Sequence, residues 1–131
     1  MWYRLRQIKW FFQRGRRGWA DCDVWGFDDY LCGIIIAGIR NLQKVKQGCP
    51  SDMWDATKKN DECWRWREAL ETMAQGFEAH QMMKEGAYQL RLKKRKTGYA
   101  IELDFMTAEQ RKKKADEGMA LFIKHFGNLW D

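Results

Sequence analysis

Four carboxylates lie close together where a basic stretch of the chain gives way to a strongly apolar one, namely Asp21, Asp23, Asp28 and Asp29. Several such oxygens can hold a hard divalent cation, but this segment lacks the glycine and closing glutamate of a calcium-binding loop. An aspartate before an apolar helix also accepts its unpaired backbone N–H groups. We therefore interpret Asp21, Asp23 and Asp28 as a helix cap and acidic cluster. In this interpretation Asp28 pairs with Arg16 or Arg17, and no metal or cofactor is expected.

Residues suited to nucleophilic or acid–base catalysis are sparse. The two histidines, His80 and His125, each lie within the apolar stripe of a predicted helix, and the single serine, Ser51, has no G-x-S-x-G setting. The segment 15–18 lacks the lysine–serine pair of a phosphate-binding P-loop. We therefore predict that the protein is not an enzyme.

Basic side chains are grouped in blocks, although the net charge is only +6. Residues 1–20 contain no acidic residue, and 91–96 form a second block. Such blocks can contact a phosphate backbone, an anionic membrane surface or an acidic protein. Neighbouring aromatic rings can stack on bases, but no known nucleic-acid-binding motif is present. The candidate partner-binding residues are Arg14, Arg16, Arg17, Trp19, Arg91, Lys94 and Arg95.

Length and composition predict one domain over residues 1–131. The chain has 45% hydrophobic residues and a single proline, which favours long helices. Its four cysteines are scattered with no C-x-x-C pair, so we expect reduced thiols in a cytosol. No segment approaches the length of a continuous apolar transmembrane helix, so we predict no membrane span. A signal peptide is not expected either.

Hydrophobic periodicity predicts a basic amphipathic helix within residues 1–17, ahead of a helical body over 18–131. Its apolar residues recur at helical spacing and are Trp2, Leu5, Ile8, Phe11 and Phe12. We expect this aromatic stripe to dock on the body. Binding to a membrane surface or to a partner's groove is the alternative.

The body is predicted to contain three further helices, which makes the fold mainly α, a small bundle of about four helices. A helix over Val24–Val45 is apolar over most of its girth and should be central and buried, with Gly33 and Gly38 allowing close helix approach. Helices over 61–85 and 107–127 pack against it, the latter starting with a Thr107–Gln110 capping box. The expected core residues are Trp25, Trp66, Phe77, Phe126 and Trp130.

The segment between the last two helices changes its period. Apolar residues alternate on both sides of Lys-Arg-Lys-Thr-Gly, which favours a short β-hairpin over 88–103. A mobile basic loop or an extra helix is the alternative.

Four separate features resemble a family of small proteins encoded by tailed phages and prophages. They are the start Arg-Gly-Trp-Ala-Asp-Cys-Asp-Val-Trp-Gly-Phe-Asp-Asp-Tyr-Leu over 17–31, the turn Gly48-Cys49-Pro50, an apolar helix ending near Phe77, and the ending Phe-Gly-Asn-Leu-Trp-Asp over 126–131. The resemblance covers about 14–50, 64–78 and 116–131. It implies phage origin and a helical fold. Because the family carries no assigned activity, it supplies no catalytic residues.

Together these observations predict a phage-encoded, non-enzymatic binding protein. We expect it to act in the host cytoplasm on a host protein, with a component of host defence as the specific candidate. The alternatives are binding of nucleic acid or a nucleotide through the basic edges, and a structural role in the virion or its assembly. The sequence leaves self-association possible.

Overall fold

The computed structural model describes residues 2–45, 48–84, 89–95, 98–104 and 106–129, with the side chains of 84–105 outside that description. Four α-helices form most of it, and the predicted mainly helical bundle is confirmed. The helices are α1 Trp2–Arg17, α2 Phe27–Val45, α3 Trp64–Lys84 and α4 Ala108–Lys124. Short 3-10 turns occupy Asp21–Gly26, Ser51–Met53 and Phe126–Asn128. None of the described helices is long and apolar enough to span a membrane.

The central helix of the bundle is α3. It packs against both α2 and α4. Its buried residues recur at helical spacing and include Trp66, Leu70, Met73 and Phe77. Our prediction that the helix around Val24–Val45 is central and buried was wrong. Along α2 only Cys32 and Ile39 are buried, because one neighbouring helix cannot cover a helix that is apolar over most of its girth.

The backbones of α3 and α4 meet at two glycines. A Cβ atom built on Gly76 would lie 2.5 Å from the Cα of Gly118, and one built on Gly118 would lie 2.6 Å from the Cα of Gly76. The predicted close-approach glycines were therefore the wrong pair, since a Cβ on Gly33 or Gly38 has no neighbour within 4 Å. Helix α4 begins at the predicted capping box, in which Thr107 Oγ1 accepts from Gln110 N at 3.2 Å.

A disulfide joins Cys49 and Cys63, which corrects the expectation of four reduced thiols; Cys22 and Cys32 are not disulfide-bonded. The connection between α2 and α3 folds back on itself, with Asp55 N donating to Glu62 O at 2.8 Å, and so brings the two Cα atoms to 5.6 Å. Closing a loop of sequence separation 14 contributes about 3 kcal/mol through the entropy of the unfolded chain. Disulfides persist in oxidising compartments, so this bond does not favour the predicted cytoplasmic location.

Between α3 and α4 the backbone runs as two antiparallel strands, β1 Gln89–Arg95 and β2 Gly98–Asp104. The paired positions run from Gln89 opposite Asp104 to Arg95 opposite Gly98. The buried residues named above as the core all belong to the helices.

The predicted core residues have different outcomes. Trp66 and Phe77 are buried as predicted, whereas Trp25 is 97% exposed and Phe126 is 67% exposed. Both errors arise because the residue lies in a 3-10 turn beside a helix, where the helical phase used for the prediction no longer applies. In place of Phe126, His125 is buried and packs edge-on against the Trp66 ring. Trp130 lies outside the described residues.

Candidate functional site

The junction between α1 and α2 holds most of the residues singled out from the sequence. Helix α1 ends at Arg17 and is followed by Gly18, which has a φ of 81°, a left-handed conformation that glycine adopts without steric cost. Gly18 N donates to Arg14 O at 2.9 Å, and Tyr30 Oη donates to Gly18 O at 2.6 Å. The chain therefore reverses sharply, and the 3-10 turn Asp21–Gly26 contacts α1.

Arg14 and Asp23 form a bidentate ion pair across this junction. Arg14 Nε donates to one carboxylate oxygen at 3.0 Å and Nη2 to the other at 2.5 Å. Asp23 also accepts from Ala20 N at 2.7 Å and is buried. The hydrogen bond from Arg14, against the opposing effect of desolvation, lowers the pKa of Asp23 to about 2.

Asp21, like Asp23, contacts side chains of α1. Gln13 Nε2 donates to its carboxylate at 2.7 Å, Arg17 forms an ion pair with it, and Lys9 Nζ lies 3.5 Å away. The hydrogen bond from Gln13, followed by that from Arg17, lowers the pKa of Asp21 to about 2. The Arg17 guanidinium also lies over the Trp19 ring, 3.8 Å from its centroid. We call Arg14, Arg17, Asp21 and Asp23 the junction clamp.

Asp23 has a capping contact, but at the 3-10 turn Asp21–Gly26: its carboxylate accepts from the backbone N of Ala20, which precedes that turn. Asp28 lies in the first turn of α2. Asp21 and Asp23 also accept hydrogen bonds from α1, which the sequence interpretation did not include.

The expected ion pair of Asp28 with Arg16 or Arg17 is not observed among the described residues. Arg17 binds Asp21, and Asp28 Oδ2 lies 3.3 Å from His80 Nε2 on α3. Among the described residues no three His, Cys, Asp or Glu side chains converge on a point that could hold a metal ion.

The predicted partner-binding residues are divided by the structure into three groups. Arg14, Arg17 and Trp19 are engaged within the junction. Arg16 is exposed and forms no ion pair with any residue in the described ranges. Arg91, Lys94 and Arg95 belong to β1, and their side chains are outside the described part of the chain.

The apolar stripe of α1 faces solvent, so the prediction that it docks on the body was wrong. Its residues Leu5, Ile8, Phe11 and Phe12 are 59%, 54%, 73% and 68% exposed. The helix is held instead by Gln13 and its basic side chains, because two carboxylates in the following turn are placed to bind them. No residue described in α1 is buried.

Besides the apolar stripe of α1, the structure exposes an apolar surface on α2 that the sequence analysis did not predict. An open groove of about 390 Å³ runs along α2 beside the last turn of α4 and the segment that follows it, lined by Ile35, Gly38, Ile39, Asn41, Leu42, Val45, Phe122 and Leu129. Outside the groove the same helix exposes Phe27, Leu31 and Ile34. We call the exposed residues and the groove together the α2 face. The signal was present in the apolar girth of the helix predicted over Val24–Val45, which we interpreted as a buried surface.

The junction clamp predicts an acid-sensitive contribution to stability. Because the pKa of Asp23 is lowered from 3.8 to about 2, its contribution is present above pH 4 and lost as the pH falls from about 4 to about 2. We expect Asp23→Asn to destabilise the protein at neutral pH, and the difference from wild type to shrink over that range. Urea unfolding of both proteins at several pH values measures this difference in the free energy of unfolding. A difference that does not change with pH would contradict the ionic role of Asp23.

Asp116→Asn is the matched control, because Asp116 pairs with Lys112 at 2.7 Å on the exposed surface of α4. Exposed pairs of this kind contribute little, so the free energy of unfolding should change by less than about 0.5 kcal/mol.

No protein-family model matches the chain, and comparisons with curated proteins and with solved structures give no significant match. The likeness to tailed-phage proteins therefore stays a prediction that depends on sequence motifs alone.

Proposed function

We propose that this chain is a non-enzymatic binding protein that engages a protein partner through the α2 face. The observation that carries the proposal is the exposure of that face: α2 contains an apolar run, yet only Cys32 and Ile39 along it are buried, and an apolar groove lies beside it. Exposed apolar side chains next to a groove are typical of interaction sites.

The shape of the groove favours a helical segment of the partner. Gly38 forms an open notch, since a Cβ there would have no neighbour within 4 Å, and Leu42, Phe122 and Leu129 border it. Amphipathic helices bind in such grooves through apolar side chains spaced three and four residues apart. A bulky side chain of the partner helix would fill the notch at Gly38.

The chemistry of the groove favours protein over nucleic acid. Its lining residues carry no charge, whereas phosphate-backbone binding depends on rows of lysine and arginine. The phage resemblance is our reason for proposing a host protein, and a defence component remains the specific candidate. Of the arginines proposed earlier as contacts whose side chains are described, Arg16 is the one that is exposed and forms no ion pair with another described residue.

The test is capture of a partner from nuclease-treated host lysate by the wild-type protein and by two variants. Ile34→Glu with Val45→Glu places two charges on the α2 face at half-exposed positions, so the protein should stay folded while capture falls at least about tenfold. The control Ile123→Glu alters an apolar residue of α4 that is 75% exposed and should leave capture unchanged. Thermal unfolding followed by circular dichroism verifies that all variants are folded.

The same experiment separates the alternatives. Capture that persists in high salt and depends on the α2 face supports the proposal. Nucleic acid released steadily as salt rises would instead indicate phosphate-backbone binding. A shift of the wild-type protein to a dimer or larger assembly, lost in the α2 double variant, would indicate a structural, self-associating role.

A further inference from the structure

We infer that α1 is an interfacial helix that lies on an anionic lipid surface. The inference depends on α1 and its junction with the body, and so it is independent of the protein partner proposed for the α2 face.

The way α1 is attached determines which side remains available. Lys9, Gln13 and Arg17 recur every four residues, lie on one face, and contact Asp21. Arg14, also on the attached side, binds Asp23. The apolar residues Leu5, Ile8, Phe11 and Phe12 occupy the other side of the helix and are more than half exposed. The body therefore holds α1 by polar contacts and directs its apolar side to solvent.

The charge of the free part of α1 complements an anionic surface. The segment 1–20 contains six basic residues and no acidic residue. Three of the six are bound to Asp21 or Asp23, and the other three are Arg4, Arg6 and Arg16. Arg4 and Arg16 form no ion pair with residues in the described ranges, and Arg6 lies over the Trp10 ring at 5.1 Å. A helix with arginines beside a broad Trp/Phe/Leu face and no acid is typical of one lying in the headgroup layer.

A lipid surface fits α1 better than nucleic acid does. Of the six basic residues that a phosphate backbone could engage, three are held at the junction. Phe11 and Phe12 could stack on bases, but Leu5 and Ile8 on the same side could not, whereas an acyl boundary receives all four side chains. Trp2 and Tyr3, both largely exposed at the start of the helix, have the apolar body and polar edge favoured at a membrane interface. Arginine stems can follow the apolar side while their guanidinium groups reach the lipid phosphates.

The experiment is co-flotation of the full chain with vesicles of phosphatidylcholine alone and of phosphatidylcholine mixed with phosphatidylglycerol. We expect binding to the anionic vesicles, a blue shift of tryptophan fluorescence on binding, and weakening as salt rises. Ile8→Glu with Phe12→Glu should weaken binding at least about tenfold, since it places two charges in the apolar side. Arg4→Glu with Arg16→Glu should remove the preference for anionic vesicles.

Two controls keep the result specific to α1. Ile123→Glu places the same charge on α4 and should bind vesicles as wild type does, and so should Ile34→Glu on the α2 face. Equal binding by the Ile8→Glu, Phe12→Glu variant, or absence of binding to anionic vesicles, would overturn the inference. Binding to a single-stranded oligonucleotide in preference to the vesicles would overturn it as well. Because the vesicles contain no protein, failure here leaves the proposed protein partner untouched, and failure to capture a partner leaves this result untouched.

Discussion

Replacing Gly76 by alanine is expected to lower the free energy of unfolding by about 3 kcal/mol, at the upper end of the usual cost of overpacking. The new Cβ would lie 2.5 Å from the Cα of Gly118 and 3.0 Å from Lys114 O. Both obstacles are backbone atoms of α4, so no side-chain rotation can relieve the overlap and the two helices must separate. Urea or guanidinium unfolding measures the loss, and Gly118→Ala should behave alike because Thr72 O would lie 2.7 Å from its Cβ.

Gly33→Ala is the matched control. Gly33 lies in the middle of α2 and is exposed to solvent, and a Cβ atom built on it would have no neighbour within 4 Å. Alanine is the better helix former, so the free energy of unfolding of this variant should rise by up to about 1 kcal/mol. Opposite signs for the same chemical change would establish that the loss at Gly76 comes from helix packing. Similar small effects at both positions would contradict the close contact of α3 and α4.

Truncating Trp66 to alanine is expected to cost about 3–5 kcal/mol, the range for removing a large aromatic side chain from a core. Trp66 is 1% exposed, belongs to the main hydrophobic cluster, and packs edge-on against His125 with ring centroids 5.4 Å apart. Its removal would leave a cavity between α3 and the end of α4. Thermal or chemical unfolding gives the magnitude.

Trp25→Ala provides the comparison within the same chain. The Trp25 side chain is 97% exposed, so its truncation should change the free energy of unfolding by no more than about 0.5 kcal/mol. A large loss at Trp25 together with a small one at Trp66 would reverse the burial pattern of the two residues and contradict the placement of the 3-10 turn before α2.

The helices could be predicted from sequence because their signals are local. Periodicity placed α3 and α4 within a few residues of their observed bounds, and the Thr107 capping box marked the start of α4. Which helix is central could not be predicted in this way. Periodicity reports how apolar a helix is, whereas burial depends on how many neighbours it has, and this is set by packing between distant segments such as that at Gly76 and Gly118.

The residues of the candidate site could be predicted from the sequence, but which of them pair with each other could not. Arg14, Arg17, Asp21 and Asp23 were all singled out, but as two separate groups with separate roles. Their pairing depends on the reversal at Gly18, whose left-handed backbone turns the carboxylates back toward α1. Because that reversal decides which side of α1 is attached, the exposure of Phe11 and Phe12 could not be predicted from their spacing.

The bond between Cys49 and Cys63 makes a covalent ring of the connection between α2 and α3. A protease that cuts one peptide bond within this ring therefore does not divide the molecule, since the two fragments stay joined through sulfur. The ring holds the 3-10 turn Ser51–Met53 and the segment that leads into α3. In the oxidised protein this connection can be nicked, or opened to receive an inserted sequence, while the end of α2 remains tethered to the start of α3.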